Sequence, residues 1–312
     1  MANLIEMLDW TQVPVGVESA FGQINLGIGA VGGGGPVALI TAGIHGDEGP
    51  WGAWAIRKLL ERITPDELRG TIHIVPVSNP LAMQADKRNA PVDQLDLNRA
   101  FPGNSTGSYT ERVASILVEY ALPGADYVID LHGGGSWCVN AFVFQMEGGE
   151  ALSAAFEAPF VVQAPDRTVT LTGYARSQGA VVAAVEMGGR SEFEANWADR
   201  IADGLFRALA VAGVIEPAHT PVPVANPAIV VSETSVLRPN AGGIFLPHVR
   251  ADQVGTIVAK DTLLGQMLHP VTQVVIEEFR APFKQTALLL LRPMLAQIEG
   301  GAMTYVVAEP SV

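Results

Sequence analysis

Four short apolar runs, separated by helical patterns, constrain the fold of this chain more than any other feature of its sequence. The runs consist mainly of apolar residues and lie at 37–41, 71–77, 126–131 and 181–185. Continuous runs of this kind are typical of strands that are buried on both faces of a sheet. Helical spacing of apolar residues occurs at 51–62, 110–120 and 196–211. Strands that alternate with helices predict an α/β fold, with a mixed central sheet flanked by helices on both faces.

Three of the apolar runs end at side chains that are suited to chemistry. His45 follows the first run, His132 follows the third and Glu186 follows the fourth. Ligands of open α/β sheets bind beyond the carboxyl ends of the strands. We therefore expect these three side chains to converge at one edge of the sheet and to form a functional site there.

The turn after the first run carries a further candidate ligand, Glu48, which is separated from His45 by two residues. A His and a Glu at this spacing can chelate one cation, although such a pair alone is common in chains that bind no metal. With His132 the pair forms a His₂Glu set, which is a ligand set of catalytic zinc sites that keep a position open for water. The sequence therefore predicts a Zn²⁺ ion bound by His45, Glu48 and His132.

Glu186 is the candidate general base of this site. It ends the apolar run 181–185. Apolar surroundings raise the pKa of a carboxyl group towards neutrality, where a general base works best. The alternative interpretation is a capped or solvated strand end without a catalytic role.

A long polar segment, 79–107, contains candidate substrate contacts, and long loops in compact domains are often functional. Arg88 lies in its middle, and Asp96, Asn98 and Arg99 follow. A guanidinium group binds a carboxylate through two parallel hydrogen bonds, so the two arginines are candidates for holding an anionic substrate. An exposed arginine without a function is the alternative for each.

The sequence changes character after the last long helical pattern. A Pro-rich stretch, 216–227, indicates a linker, and short β runs without a long helix follow it. We predict a catalytic α/β domain over 1–220 and a small all-β domain over 228–312. Lys260 does not lie in the tight apolar hairpin that a lipoyl-type carrier requires, so the β-domain is predicted to be a structural or rim-forming barrel.

Composition restricts the partners of this chain. The net charge of −13 argues against nucleic acid and anionic membrane surfaces, because both require basic residues. The sequence shows no signal peptide and no apolar run long enough to cross a bilayer, so we expect a cytoplasmic protein. The single cysteine, Cys138, excludes an intrachain disulfide, and burial as a small packing residue is favoured over catalysis.

Five motifs occur in a fixed order between residues 37 and 190. They are Gly43-Ile-His-Gly-Asp-Glu48, Asn79-Pro80 with Lys87-Arg88, Asp96-Leu-Asn-Arg-Ala-Phe-Pro-Gly103, Asp130-Leu-His132 and Val185-Glu186-Met-Gly-Gly. Together they resemble the succinylglutamate desuccinylase/aspartoacylase family, which belongs to the zinc carboxypeptidase-like superfamily. The C-terminal β-domain is similar to the one that this family carries.

The resemblance implies roles for individual residues. Zinc would be bound by His45, Glu48 and His132. Glu186 would act as the general base and later as the acid that protonates the leaving amine.

The polar segment 79–107 gains roles from the same resemblance. Arg88 would polarise the scissile carbonyl and stabilise the oxyanion. Asn98 and Arg99 would hold the carboxylate of the substrate. Asp96 would orient a zinc-binding histidine.

These features predict a zinc-dependent amidohydrolase that acts on a small molecule bearing a carboxylate. It would remove an acyl group from an N-acyl amino acid or a related amide, by attack of zinc-activated water. N-acetyl-diaminobutyrate-type compounds and short peptides, as in a carboxypeptidase, are alternative substrates. A non-catalytic binding protein that keeps the zinc pocket is the alternative from another class. The acyl group, the amine and the oligomeric state, including a homo-oligomer, stay open.

Overall fold

A computed structural model describes residues 3–16, 22–163, 167–218, 228–231 and 233–310 of the 312-residue chain. The predicted linker lies outside the described residues from position 219 onwards. The division into two domains at this linker therefore stays a prediction.

The chain forms seventeen β-strands and six α-helices within the described residues. The strands are β1 Asp9–Pro14, β2 Asn25–Gly32, β3 Val37–Ala42, β4 Thr71–Val75, β5 Tyr127–His132, β6 Val139–Gln145, β7 Phe160–Gln163, β8 Val181–Gly188, β9 Ile229–Val231, β10 Ser235–Leu237, β11 Gly243–Pro247, β12 Ile257–Ala259, β13 Leu263–Leu268, β14 Val275–Arg280, β15 Gln285–Leu291, β16 Ala296–Ile298 and β17 Tyr305–Ala308. The helices are α1 Gly49–Arg62, α2 Pro80–Gln84, α3 Tyr109–Ile116, α4 Glu150–Ala154, α5 Leu171–Ser177 and α6 Glu194–Val211.

A large mixed sheet runs through the molecule in the order β1-β2-β4-β3-β5-β8-β6-β15-β17-β10. Its central strands β4, β3, β5 and β8 are parallel, whereas β2 and β6 pair with them in the antiparallel sense. The four parallel strands coincide with the four apolar runs of the sequence. The predicted mixed α/β fold is therefore confirmed.

Both faces of the central sheet are covered by helices. Ile40 and Ile129 pack in one apolar cluster with residues of α1 and α6, whereas Leu39 and Val128 pack in a second cluster with residues of α3 and α5. Neighbouring residues of a strand point to opposite faces, which is why both kinds of position are apolar here. Full burial of each such side chain stabilises the fold by about 1.5–3 kcal/mol.

The C-terminal part is built of β-strands, as the sequence predicts, and it continues the large sheet. β15 pairs with β6 through Leu290–Asn140 and Leu291–Val139, and β12, β17 and β10 extend the sheet from there. A separate antiparallel sheet has the order β14-β13-β11-β16. The sequence does not predict the short strands β10 and β16.

One local prediction from the sequence is wrong. The stretch Thr168-Val-Thr-Leu171, in which three residues are β-branched, predicts a short extended piece, but 168–170 form a turn and α5 begins at Leu171. The hydroxyl of Thr170 accepts a hydrogen bond from the N–H of Gly173 and caps this helix. Capping therefore overrides the local β-propensity. No helix in the described part of the chain has the length and apolar character needed to span a bilayer.

Candidate metal centre

The turn between β3 and α1 carries His45 and Glu48. It begins at Gly43, whose φ of +70° lies in the left-handed region that glycine adopts without steric cost. Gly46 then lies against the backbone of α2, where an added Cβ would be 2.0 Å from the carbonyl carbon of Ala82. Two glycines therefore fix the path that presents His45 and Glu48 at the end of β3.

His132 and Glu186 reach the same place from neighbouring strands. His132 is the last residue of β5 and pairs in register with Glu186 on β8. Residues paired in this way project from the same face of a sheet. Ala42 at the end of β3 pairs with Leu131 on β5, so the His45 turn starts beside His132. The structure thus brings the predicted strand-end residues to one edge of the sheet.

His45, Glu48 and His132 form a buried cluster in which the three candidate ligand atoms lie within 4.8 Å of one another. The Nδ1 atoms of His45 and His132 are 2.9 Å from Oε1 and Oε2 of Glu48, respectively. His45 Nδ1 lies outside hydrogen-bond geometry and, among the described residues, has no hydrogen-bond partner. A buried nitrogen without a partner is costly unless it binds a ligand. The donor set and this nitrogen fit a zinc ion at the cluster.

The far nitrogen of each histidine contacts a carboxylate. His45 Nε2 lies 3.1 Å from Oδ1 of Asp96, and His132 Nε2 lies 2.7 Å from Oδ2 of Asp130. Asp130 in turn accepts a hydrogen bond of 2.6 Å from the hydroxyl of Thr41. A proton held on Nε2 leaves Nδ1 as the free lone pair, which is how carboxylates orient histidines at metal sites. The sequence suggested this role for Asp96 but gave none to Asp130.

The cluster strongly favours a negative charge on its carboxylates. Burial opposes ionisation of Glu48, yet the interactions with His45 and His132 hold its pKa well below the usual range. Burial also opposes ionisation of Asp96, whose pKa is nevertheless lowered by His45 and Arg88. Carboxylates that stay ionised beside imidazole nitrogens provide the charge that a divalent cation requires.

Glu186 has different surroundings. Burial raises its pKa to about 7, against the opposing effect of nearby His132. Its Oε2 accepts a hydrogen bond of 2.8 Å from the side-chain amide of Asn140, a residue of β6 that the sequence did not indicate. A carboxyl group with a pKa near neutrality can accept and return a proton at physiological pH.

Arg88, in the polar segment 79–107, lies against the cluster. Arg88 donates from Nη1 to Oε1 of Glu48 at 3.1 Å and from Nη2 to Oδ2 of Asp96 at 3.0 Å. The N–H groups of Gly46 and Asp47 donate to the carbonyls of Arg88 and Lys87, respectively, which ties this loop to the histidine turn. Arg88 therefore lies where it could reach a carbonyl oxygen bound at the cluster.

Asn98 and Arg99 lie in a short turn that Asp96 caps by accepting the N–H of Asn98. The side chain of Asn98 lies 3.3 Å from His132 Nε2 and accepts the N–H of Leu171, so it joins the cluster to α5. Arg99 is exposed and donates to the carbonyl of Asn98. Their predicted role as contacts of a substrate carboxylate stays a prediction.

These residues line a cavity of about 270 Å³. It holds His45, Glu48, His132, Glu186, Arg88, Asn98 and Arg99, together with Arg167, Trp137, Cys138, Asn140 and a set of apolar side chains. Arg167 is exposed and supplies a further cation at the mouth of the cavity, which the sequence did not indicate. Burial raises the pKa of the Cys138 thiol well above its usual value, which fits a packing residue and not a nucleophile.

Comparison with known proteins identifies the family of this chain. The sequence profile of the succinylglutamate desuccinylase/aspartoacylase catalytic domain matches residues 34–212. The chain belongs to this family. The resemblance drawn from its five motifs is therefore confirmed.

A curated relative and two solved structures are similar to this chain. N-alpha-acetyl-L-2,4-diaminobutyric acid deacetylase of Halomonas elongata is 35% identical over 185 residues, which are 55% of this chain and 54% of the relative. The match thus spans about half of the relative's length. A succinylglutamate desuccinylase/aspartoacylase of Rhodobacter sphaeroides is 27% identical with a TM-score of 0.80, over 97% of this chain and 95% of that chain. The product-bound ectoine utilization protein EutE (DoeB) of Ruegeria pomeroyi is 25% identical with a TM-score of 0.81, over 96% and 93%.

Proposed function

We propose that this protein is a zinc-dependent amidohydrolase that removes an acyl group from a small N-acyl amino acid or a related amide. The observation that carries the proposal is the position of Glu186, which pairs in register with His132 of the buried His45–Glu48–His132 cluster. The deacetylase activity named for the Halomonas elongata relative and the deacylases that give the family its name support an acyl-removing reaction.

The metal would be held by Nδ1 of His45, a carboxylate oxygen of Glu48 and Nδ1 of His132. The carboxylate partner of each histidine would orient its ring. A bound zinc ion would supply a Lewis acid that polarises the amide carbonyl and makes water acidic enough to be deprotonated near neutral pH. The three ligands line the cavity, so a substrate bound there would displace water from around the metal.

Glu186 would accept a proton from the attacking water on its carboxylate and would later deliver that proton to the leaving amine. Its pKa of about 7 suits both steps, because the ionised and protonated forms are both populated near neutral pH. The guanidinium of Arg88 would donate hydrogen bonds to the oxygen that gains negative charge during attack. The products are a carboxylic acid and an amine.

Arg99, at the mouth of the cavity, would pair with the carboxylate of the substrate, and the nearby Arg167 adds positive charge. A small substrate fits the cavity volume of about 270 Å³. Positive charge at the mouth of a chain with a net charge of −13 also gives an anionic substrate a local target.

A substrate panel tests this proposal. The zinc-loaded protein is incubated with N-acyl amino acids and with di- and tripeptides, and the released amine is quantified by chromatography. We expect release of free amino acid from at least one N-acyl amino acid and loss of this activity in Glu186→Gln with its metal content unchanged. Hydrolysis of peptides alone would support a carboxypeptidase instead, and metal binding without any hydrolysis would support the binding-protein alternative.

A further inference from the structure

An ion pair between Arg190 and Asp86 joins two segments that carry candidate catalytic residues. Arg190 lies four residues after Glu186, and Asp86 lies two residues before Arg88. Arg190 donates from Nη1 to Oδ2 of Asp86 at 2.7 Å and from Nη2 to Oδ1 at 2.8 Å. Two parallel bonds of this kind fix the orientation of the two groups as well as their distance. The ion pair therefore links the position of one segment to that of the other.

The Arg190 end of this ion pair is anchored on the sheet. Glu186 itself lies in β8, which ends two residues before Arg190. The backbone N–H of Arg190 donates to the carbonyl of Gly135 at 3.0 Å. The N–H of Gly134 donates to the carbonyl of Gly188 at 2.9 Å, so the segment after β8 is tied twice to the loop after β5. Arg190 is thus held at a defined place relative to Glu186.

The Asp86 end lies in the turn that leads into Arg88. Asp86 lies just after α2 and has a φ of +50°, in the left-handed region that aspartate adopts more readily than most residues other than glycine. The next N–H, that of Lys87, donates to the carbonyl of Ala82 and closes the turn. Backbone bonds from the turn after β3 tie this loop to the histidine side of the site. The ion pair adds a tie between the same loop and the end of β8.

We propose that Arg190 and Asp86 are positioning residues, whose ion pair sets the distance between the guanidinium of Arg88 and the carboxylate of Glu186. This inference rests on the proposed function, in which Glu186 activates the water and Arg88 stabilises the oxygen that gains charge. Neither partner of the ion pair is among the described residues that line the cavity, and their side chains are 40% and 49% exposed. Exposed ion pairs contribute little to folding stability, so we expect this pair to act on the alignment of the two catalytic groups. Misplacement of a catalytic group by about 1 Å can slow a reaction by about 100-fold.

Two substitutions remove or weaken the ion pair with little change in shape. Asp86→Asn removes the charge and keeps a residue that tolerates the left-handed region, whereas Arg190→Met keeps an unbranched side chain. Each should lower kcat of the zinc-loaded protein by about 10–100-fold on the best substrate of the panel. KM should change by less than about threefold, because the alignment that is lost matters in the transition state. Arg190→Lys should recover part of kcat, because an ammonium keeps the charge and lacks the planar fork.

Stability and metal content are measured on the same variants. Tm should fall by at most about 4 °C, and the zinc content should equal that of the wild type. Arg280→Met is the matched control, since Arg280 donates twice to Glu278 at an exposed position of the C-terminal part. This control should keep the wild-type kcat. Loss of zinc together with kcat in Arg190→Met would show a structural role and would overturn the inference.

Substitution of Arg88 separates positioning from a general loss of structure. In an Arg88→Ala background, Arg190→Met should lower kcat by less than about threefold further, because changes that act through one group are not additive. An additive loss would overturn the inference, and so would a wild-type kcat in folded Arg190→Met. Both results leave the amidohydrolase proposal standing. If Arg190→Met does not fold, Asp86→Asn takes its place in both measurements. Failure of the wild-type protein to hydrolyse any substrate of the panel counts against both proposals.

Discussion

His132 and Asp130 lie on the same face of β5, two residues apart, with Nε2 of the histidine 2.7 Å from Oδ2 of the aspartate. Thr41 on β3 donates to the other oxygen of Asp130 at 2.6 Å. A strand places every second side chain on one face, so the chain can put a candidate metal ligand and its orienting carboxylate side by side. Asp130 is fully buried, and the hydroxyl and imidazole partners satisfy its two oxygens.

The contact between Asp130 and His132 predicts weaker metal binding when the charge of Asp130 is removed. Asp130→Asn should lower zinc affinity by about 10–100-fold, because the imidazole becomes less basic and less firmly oriented. Competition with a chelating dye measures the affinity. Asp203→Asn is the matched control, since Asp203 pairs with Arg62 on the surface. Equal affinities in Asp130→Asn and wild type would contradict the orienting role.

The hydrogen bond between Asn140 and Glu186 leads to a prediction of how kcat/KM depends on pH. Glu186 must be ionised to accept a proton, so kcat/KM should fall as the pH is lowered through its pKa of about 7. The Asn140 amide donates to the ionised carboxylate and thereby lowers that pKa. Asn140→Ala should therefore move the acid limb of the pH profile to higher pH.

The control for this shift is Asn240→Ala, since Asn240 bonds Glu277 at an exposed position of the C-terminal part. Its acid limb should coincide with that of the wild type. Two results would argue against Glu186 as the base. The first is an acid limb of the pH profile that moves to lower pH in Asn140→Ala. The second is an acid limb that persists in Glu186→Gln at comparable activity. Glu186→Gln itself should lower kcat by about 10²–10⁴-fold.

The close approach of Gly46 to α2 predicts a steric defect. Gly46→Ala would place a Cβ 2.0 Å from the carbonyl carbon of Ala82, so either the turn or α2 must move. We expect a loss of about 1–3 kcal/mol or more in the free energy of unfolding, together with weaker zinc binding. Gly33→Ala is the matched control, because no heavy atom lies within 4 Å of its added Cβ and its φ lies outside the left-handed region. Urea unfolding and dye competition measure the two effects.

Metal removal should lower the thermal stability. A ligand that binds only the folded state stabilises it by about 2.7 kcal/mol at a free concentration of one hundred times its Kd. Chelator-treated protein should therefore melt below the zinc-loaded protein in differential scanning calorimetry. The difference should vanish in His45→Ala and persist in His248→Ala, whose imidazole is exposed and bonds Gln266. If the difference in melting temperature persisted in His45→Ala, zinc would be bound elsewhere in the protein.

The sequence could predict the strand-end residues, because a buried strand leaves a local apolar signal and its carboxyl end is the point where that signal stops. It could not predict Asn140, because the pairing of β6 with β8 joins segments that are distant in the chain and leaves no local pattern. The sequence indicated no chemical role for Asp47. In the structure, its Oδ2 accepts hydrogen bonds from the N–H and hydroxyl of Ser136, in the loop after His132. Such contacts depend on where two turns meet in space, and spacing along the chain does not encode this.

The same limit applies to the C-terminal strands. Their β character follows from short apolar runs between turns, so the sequence predicts most of them. That β15 joins the edge of the α/β sheet at β6 is a long-range pairing, so the sequence places neither Leu290 nor Val306 in the cavity. The predicted end of the first domain, residue 220, also falls outside the described residues, whereas the predicted start of the second, residue 228, is the first described residue after that segment.

Arg99 provides the last prediction, which concerns binding and not chemistry. It is exposed and lines the cavity that also holds Glu186, the candidate base. A charge-assisted hydrogen bond contributes about 1.5–3 kcal/mol, so Arg99→Ala should raise KM by about 10–100-fold with kcat little changed. Arg99→Lys should recover part of the loss, because an ammonium keeps the charge and lacks the planar fork. Arg57→Ala, at an exposed pair with Glu61, is the control.

A substrate analogue identifies the group that Arg99 contacts. Replacing the substrate carboxylate by a carboxamide should raise KM for the wild-type protein by a factor similar to that of Arg99→Ala. The same analogue should cause little further loss in Arg99→Ala, because two changes that remove one interaction are not additive. Additive losses would show that Arg99 and the carboxylate do not interact. The carboxylate would then be held elsewhere, with Arg167 as the next residue to substitute, since it lines the same mouth.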